Sequence, residues 1–170
     1  MEIKEAIENA NNKEYFLKKL KENPELLDYA SDELKDDKQV VLTAIEADGG
    51  ALEFASKNLK DDKEVVLKAV RKVGWVICYA SERLCDDKEV VLEGAKITGQ
   101  ALYYASERLR DDKDVVLQAV RNKGIILKYA SKRLRENKEI VTEAIKQNKI
   151  SYDFVAETIK DDEEIKKLLE

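Results

Sequence analysis

Asp–Asp pairs at 36/37, 61/62, 86/87, 111/112 and 161/162 are the first residues in this chain that could do chemistry, because adjacent carboxylates can share a metal ion or divide acid and base roles. Each pair stands where a helix is expected to begin, and no following loop has the glycine and oxygen spacing of a calcium-binding hand, so helix capping is the favoured reading. The hydroxyls of Tyr29-Ala30-Ser31, Tyr79-Ala80-Ser81, Tyr104-Ala105-Ser106 and Tyr129-Ala130-Ser131 form a second set. Phe54 and Phe154 replace the tyrosine and Ala156 replaces the serine. A group repeated down the chain suits packing, since a catalytic group is needed once. Cys78 and Cys85 lie seven apart, about 10 Å if one helix ran through both. That is too far for a disulfide without a bend, and two thiols alone make a poor zinc site, which favours packing or surface cysteines over a redox sensor. Histidine, the commonest general base and metal ligand, is absent. The chain therefore reads as non-enzymatic, with no cofactor and no metal.

Composition narrows the class further. With 39% charged, 44% hydrophobic and 6% aromatic residues, and a single proline, the balance is that of a highly helical protein with thin apolar faces. The formal net charge of −5 supplies no global basic field for nucleic acid. No apolar run approaches the roughly 18 residues of a membrane span, and the N-terminal residues lack the apolar stretch of a signal peptide. Two cysteines make no disulfide framework, so a reducing compartment, the cytoplasm, is expected.

The elements that must position these residues recur every 25 residues. Such a period marks stacked supersecondary units. In 61–85, DDKEVVLKAVRKVGWVICYASERLC, Asp61 is expected to cap a helix, with Glu64 three residues on completing a capping box. Val65, Val66, Ala69 and Val70 make one buried stripe. Gly74, matched by Gly49, Gly99 and Gly124, is expected to end that helix in the left-handed conformation, and Pro24 ends the first by another route. A shorter second helix follows, with Val76, Ile77, Tyr79, Ala80 and Leu84 inward, so that each unit is an αα-hairpin. One unit buries too little to offset the ordering of its own residues, so the units must stack. The expected fold is an all-α solenoid: one domain over 1–170 with an N-terminal cap at 1–10, repeats at 11–35, 36–60, 61–85, 86–110, 111–135 and 136–160, and a C-terminal capping helix at 161–170. Ile3, Ala6, Ile7 and Ala10 read as the first cap, and Lys166 and Lys167 at normally apolar positions suit the last, so the array reads as complete.

The pattern YAS…L…DDKEVV…AV…G, as it stands from Tyr79 to Gly99 and around it, resembles a helical repeat family catalogued as domain of unknown function 4116. The resemblance covers residues 11–165 and implies an all-helical repeat with no assigned activity, hence no catalytic residues to carry over. The last unit departs most, at Glu136-Asn137, Lys149 and Phe154-Val155-Ala156.

In a solenoid the constant positions build the stack and the variable ones face solvent or a partner. One variable row on the second helix runs Glu25/Asp28, Gly50/Glu53, Trp75/Cys78, Gln100/Tyr103, Ile125/Lys128, Ile150/Asp153. It begins acidic and turns apolar in the middle, where Val73 and Ile97 are also apolar. Val73, Trp75, Cys78, Ile97, Gln100, Tyr103 and Ile125 are thus the candidate partner-binding face, provided Trp75 is exposed; the alternative is a Trp75 half buried over its own hairpin. A second row, Arg83, Arg108 and Arg133 flanked by Arg110 and Arg135, could contact phosphate or an acidic partner, and 111–135 carries seven basic and three acidic residues. The Asp–Asp pairs nearby could instead consume these arginines in ion pairs. The expected function is a protein-interaction module, an adaptor or an occluding inhibitor. RNA or single-stranded nucleic-acid binding, and a structural spacer or homo-oligomer, are the alternatives. Neither a membrane nor a small-molecule partner is indicated.

Overall fold

The computed structural model describes residues 2–170, and among them every regular element is helical. The fold is an all-α solenoid. Five units contribute a ten-residue helix, at Lys38–Ala47, Lys63–Lys72, Lys88–Ile97, Lys113–Asn122 and Lys138–Gln147, and the first a seven-residue one, Lys13–Lys19. The second arm is not the single helix expected from sequence. It is a 3-10 helix such as Gly74–Tyr79, an extended residue at Ala80 (φ −70°, ψ 158°), and a separate four-residue helix, Glu82–Cys85. The Ala-Ser of each motif is that break. Ser81 begins the short helix by accepting the Leu84 N–H, and Ser31, Ser56, Ser106 and Ser131 do the same.

The apolar stripe is fully buried where periodicity placed it: Val65, Val66, Ala69 and Val70, joined by Val76, Ile77 and Leu84 from the second arm. Because each unit repeats that stripe, the core runs unbroken from Ala6 to Ile165. In the first helix, Glu2–Glu8, Ala6 makes the contact, while Ile3 and Ile7, to either side of it, stay exposed.

The Asp pairs divide their labour, which corrects the capping expectation. The second aspartate is the N-cap: Asp62 accepts from the Glu64 and Val65 N–H groups, so Glu64 is too early to close a capping box. Glu64 instead pairs with Lys38 of the preceding unit at 2.8 Å. Asp37, Asp62, Asp87 and Asp112 each also take a lysine from the unit before, at 2.6–2.9 Å. Asn137 breaks this ladder, and Lys113 goes to Glu139 instead. The first aspartate of a pair reaches forward: Asp61 accepts from Ser81 and Arg83, Asp86 from Ser106 and Arg108. One backbone bond per junction completes the seam, Ser81 N–H to the Lys60 carbonyl at 3.0 Å being typical. Ala156 keeps its backbone bond to the Arg135 carbonyl while losing the hydroxyl.

The caps make a direct test. Asp87→Ala is expected to cost about 1 kcal/mol in urea denaturation, the usual value of a lost N-cap. Asp87→Asn should cost clearly less, because an amide oxygen still caps, as Asn137 does for the Ile140 N–H at 3.2 Å. Equal losses would mean that the Lys63 ion pair, not the cap, carries the effect.

The repeated glycines serve close approach and not chirality: among the described residues no glycine has positive φ. The helix ends because Val73 turns extended (φ −137°, ψ 91°), its N–H still bonded to the Ala69 carbonyl. A Cβ on Gly49 would lie 2.7 Å from the Ala69 carbonyl oxygen, and one on Gly99 2.5 Å from that of Ala119. Each glycine therefore rests on the last turn of the next unit's long helix.

Candidate functional site

The variable row lies along the stacked 3-10 helices. Three residues per turn bring positions i and i+3 into line, so Trp75 and Cys78 project from one edge of Gly74–Tyr79. In the next unit a turn of α-helix, Ala101–Tyr104, takes that place and carries Tyr103. Trp75 is 41% exposed, and its aromatic partner is the edge of Tyr79 in its own hairpin, with ring centroids 5.9 Å apart; the ring is thus partly covered by the hairpin and partly open. Tyr103 is 47% exposed and packs against Tyr104 (4.8 Å) and Tyr129 (4.7 Å).

Between these rings is a hollow of about 540 Å³ lined by Trp75, Gln100, Tyr103, Ile125, Lys123, Lys128 and Tyr129 among others. Four of the seven residues expected on the partner face thus come together. The other three do not line it. Val73 is half-buried against the core. Ile97 is 48% exposed but sits beside Gly74 of the unit before. Cys78 opens instead into a neighbouring hollow of about 430 Å³ with Cys85, Tyr104 and Ser106.

No single helix runs through both cysteines, because the extended Ala80 breaks the chain between them, yet both line that second hollow. Both thiols are free, and burial pushes both above the ordinary thiol range, which leaves little thiolate at neutral pH. The Cys85 thiol is 3.5 Å from the Ile77 carbonyl. Other units carry a base at its position: Lys35 pairs with Asp28 at 3.8 Å, and Lys60 donates to the Glu53 carbonyl at 2.6 Å.

The arginine row is taken up by the seam. Arg83, Arg108 and Arg133 each donate to the carboxylate of the first aspartate of their own unit at 3.0–3.1 Å and to the carbonyl of the same residue, beside the junction with the unit before. The serine hydroxyl first, and then the arginine, hold Asp61, Asp86 and Asp111 below the usual carboxylate range. Arg110 is half-buried and donates to the Tyr103 carbonyl at 2.6 Å; Arg135 is half-buried as well. Two lysines outside that row, Lys123 and Lys128, line the aromatic hollow and form no ion pair among the described residues. Sequence reasoning missed both as site residues, although position 128 belongs to the variable row that it singled out.

Tyr79, behind Trp75, has its phenol pushed up to about 12, first by burial and then by the carboxylate of Glu53. A folded-state value above the unfolded value of about 10 favours the native state fully below pH 10. That contribution is lost as pH rises toward 12. The melting temperature is therefore expected to fall above pH 10, and Tyr79→Phe, a replacement found naturally at Phe54, should flatten the slope. An unchanged slope in the variant would remove Tyr79 as its source.

Near-identical helical units, stacked on one seam with their variable residues along one face, define an α-solenoid repeat protein. The chain belongs to the family described as Domain of unknown function (DUF4116), whose model matches residues 12–60, 62–110, 87–135 and 112–160; each match covers two units. No curated protein and no solved structure matches the chain. No helix among the described residues is long and apolar enough to cross a membrane.

Proposed function

We propose that this protein is a non-enzymatic protein-interaction module, an adaptor or occluding inhibitor working in the cytoplasm, and that it binds through the face formed by Trp75, Gln100, Tyr103 and Ile125. The observation that carries this reading is the open hollow between Trp75 and Tyr103, two large exposed aromatic rings. Exposed aromatic side chains around a recess are the usual composition of a binding hot spot. The test is affinity capture from nuclease-treated lysate with the wild type and Trp75→Ala/Tyr103→Ala side by side. A protein held by the wild type and lost by the variant supports the reading, and a partner retained by both sinks it.

A further inference from the structure

The binding face is graded in charge along the stack. Trp75 is a wall shared by two hollows: the large one toward the C-terminus, and one of about 200 Å³ toward the N-terminus that is lined by Glu25, Asp48 and Glu53. Asp48 is occupied in capping the Gly50 N–H, but Glu25 and Glu53 form no ion pair among the described residues. On the other side Lys123 and Lys128 have no carboxylate partner, and Lys128 rests over the Tyr129 ring, 4.7 Å from its centroid. Along the opposite seam, by contrast, Lys13, Lys38, Lys63, Lys88, Lys113 and Lys138 are all in ion pairs. Charges of both signs without an ion-pair partner thus line the two hollows, acid before the aromatic pair and base after it. Charge left unpaired across a face selects a partner of complementary order.

We propose that the face takes a short extended peptide segment of another protein, with a basic residue against Glu25 and Glu53, an apolar residue between Trp75 and Tyr103, and carboxylates against Lys123 and Lys128. This rests on the protein-binding reading above and adds the partner's chemistry. Two hollows divided by a tryptophan receive single side chains, whereas a helix about 10–12 Å across needs a continuous trough. Neighbouring units about 8–10 Å apart make the distance from the second unit to the fifth roughly 30 Å, or about nine residues of extended chain. A polyphosphate backbone fits less well, because Glu25, Asp48 and Glu53 would repel it next to the rings on which its bases would stack.

The experiment is selection of random peptides of about twelve residues, long enough for that span, displayed on phage against the immobilised full chain. The winners are then titrated, fluorescein-labelled, at physiological salt. Winners are expected to carry basic and acidic residues on opposite sides of an apolar one. They should bind Lys123→Glu/Lys128→Glu at least about tenfold more weakly, with the exposed Lys128→Glu alone shifting the same way, and circular dichroism should confirm both variants folded. Winners that ignore both charge reversals yet fail on Trp75→Ala/Tyr103→Ala would overturn the charge order and leave the protein-binding reading standing. No enriched peptide would overturn both, and a labelled oligouridylate that binds and is released by salt would then make nucleic acid the occupant.

Discussion

Gly99→Ala is expected to lower the melting temperature by about 6–12 °C, the equivalent of about 3 kcal/mol in a chain of this size. The added Cβ would lie 2.5 Å from the Ala119 carbonyl oxygen and 3.1 Å from Lys123 Cβ. The first is backbone in the last turn of Lys113–Asn122, already bonded to the Lys123 N–H, so relief requires the fourth and fifth units to separate. Overpacking that a side chain can absorb costs about 1–3 kcal/mol, and a clash with fixed backbone belongs at or above the top of that range. Because each unit touches only its neighbours, a break in the middle of the stack cannot be confined to a fraying end. Gly50→Ala is the control. Its Cβ would meet only the Asp48 carboxylate, at 3.3 Å, the end of a side chain that can shift by a few tenths of an ångström while still accepting from the N–H at 50, and its backbone suits an L-residue, so a change of less than about 1 kcal/mol is expected. If the two variants melt alike, close approach is not what the repeated glycines are for.

Trp75 and Ile77 are two residues apart on one 3-10 helix, and their alanine variants are expected to fail in opposite ways. Trp75→Ala should weaken a partner's affinity by about 2 kcal/mol or more, roughly thirtyfold, as central aromatic anchors do. It should cost less unfolding free energy than Ile77→Ala, because the ring is 41% exposed and its aromatic contact is one edge of Tyr79. Ile77 is fully buried in the continuous core, and Ile77→Ala should cost about 2–5 kcal/mol of stability through lost burial and the cavity left behind. Well below its melting point, that variant should keep its affinity, because Ile77 does not line the aromatic hollow. Urea denaturation together with a titration of any captured partner reads both quantities. A Trp75→Ala protein that loses as much stability as Ile77→Ala, and no more affinity, would make Trp75 a packing residue and remove the face from the function.

Much of the scaffold was legible before any coordinates, and the reason is periodicity. Val65, Val66, Ala69 and Val70 recur at helical spacing within a unit that itself recurs, so burial of one stripe implies burial of the rest. The helix starts were visible as Asp–Asp because carboxylates near a first turn are local chemistry. The split of the second arm was less legible, since a 3-10 turn followed by an Ala-Ser break carries the same apolar residues as a short α-helix. Part of the lining of the aromatic hollow was legible too. Trp75, Gln100, Tyr103 and Ile125 could be found as departures from a constant pattern, whereas Lys123 could not, because it sits at a helix end and enters the hollow only when the next unit stacks.

By itself the sequence determined the period, the helical class, the buried stripe and the row in which variation is tolerated, since all of these depend on neighbours within one turn or one unit. The tertiary structure alone decided which aspartate caps and which reaches forward, why glycine is needed at 49, 74, 99 and 124, and that the arginine row is tied to the seam while Lys123 and Lys128 are left unpaired beside Trp75. Those contacts join residues 20–26 positions apart, and their register exists only once one unit's backbone bond to the next, such as Ser106 N–H to the Cys85 carbonyl, has set how the stack is seated.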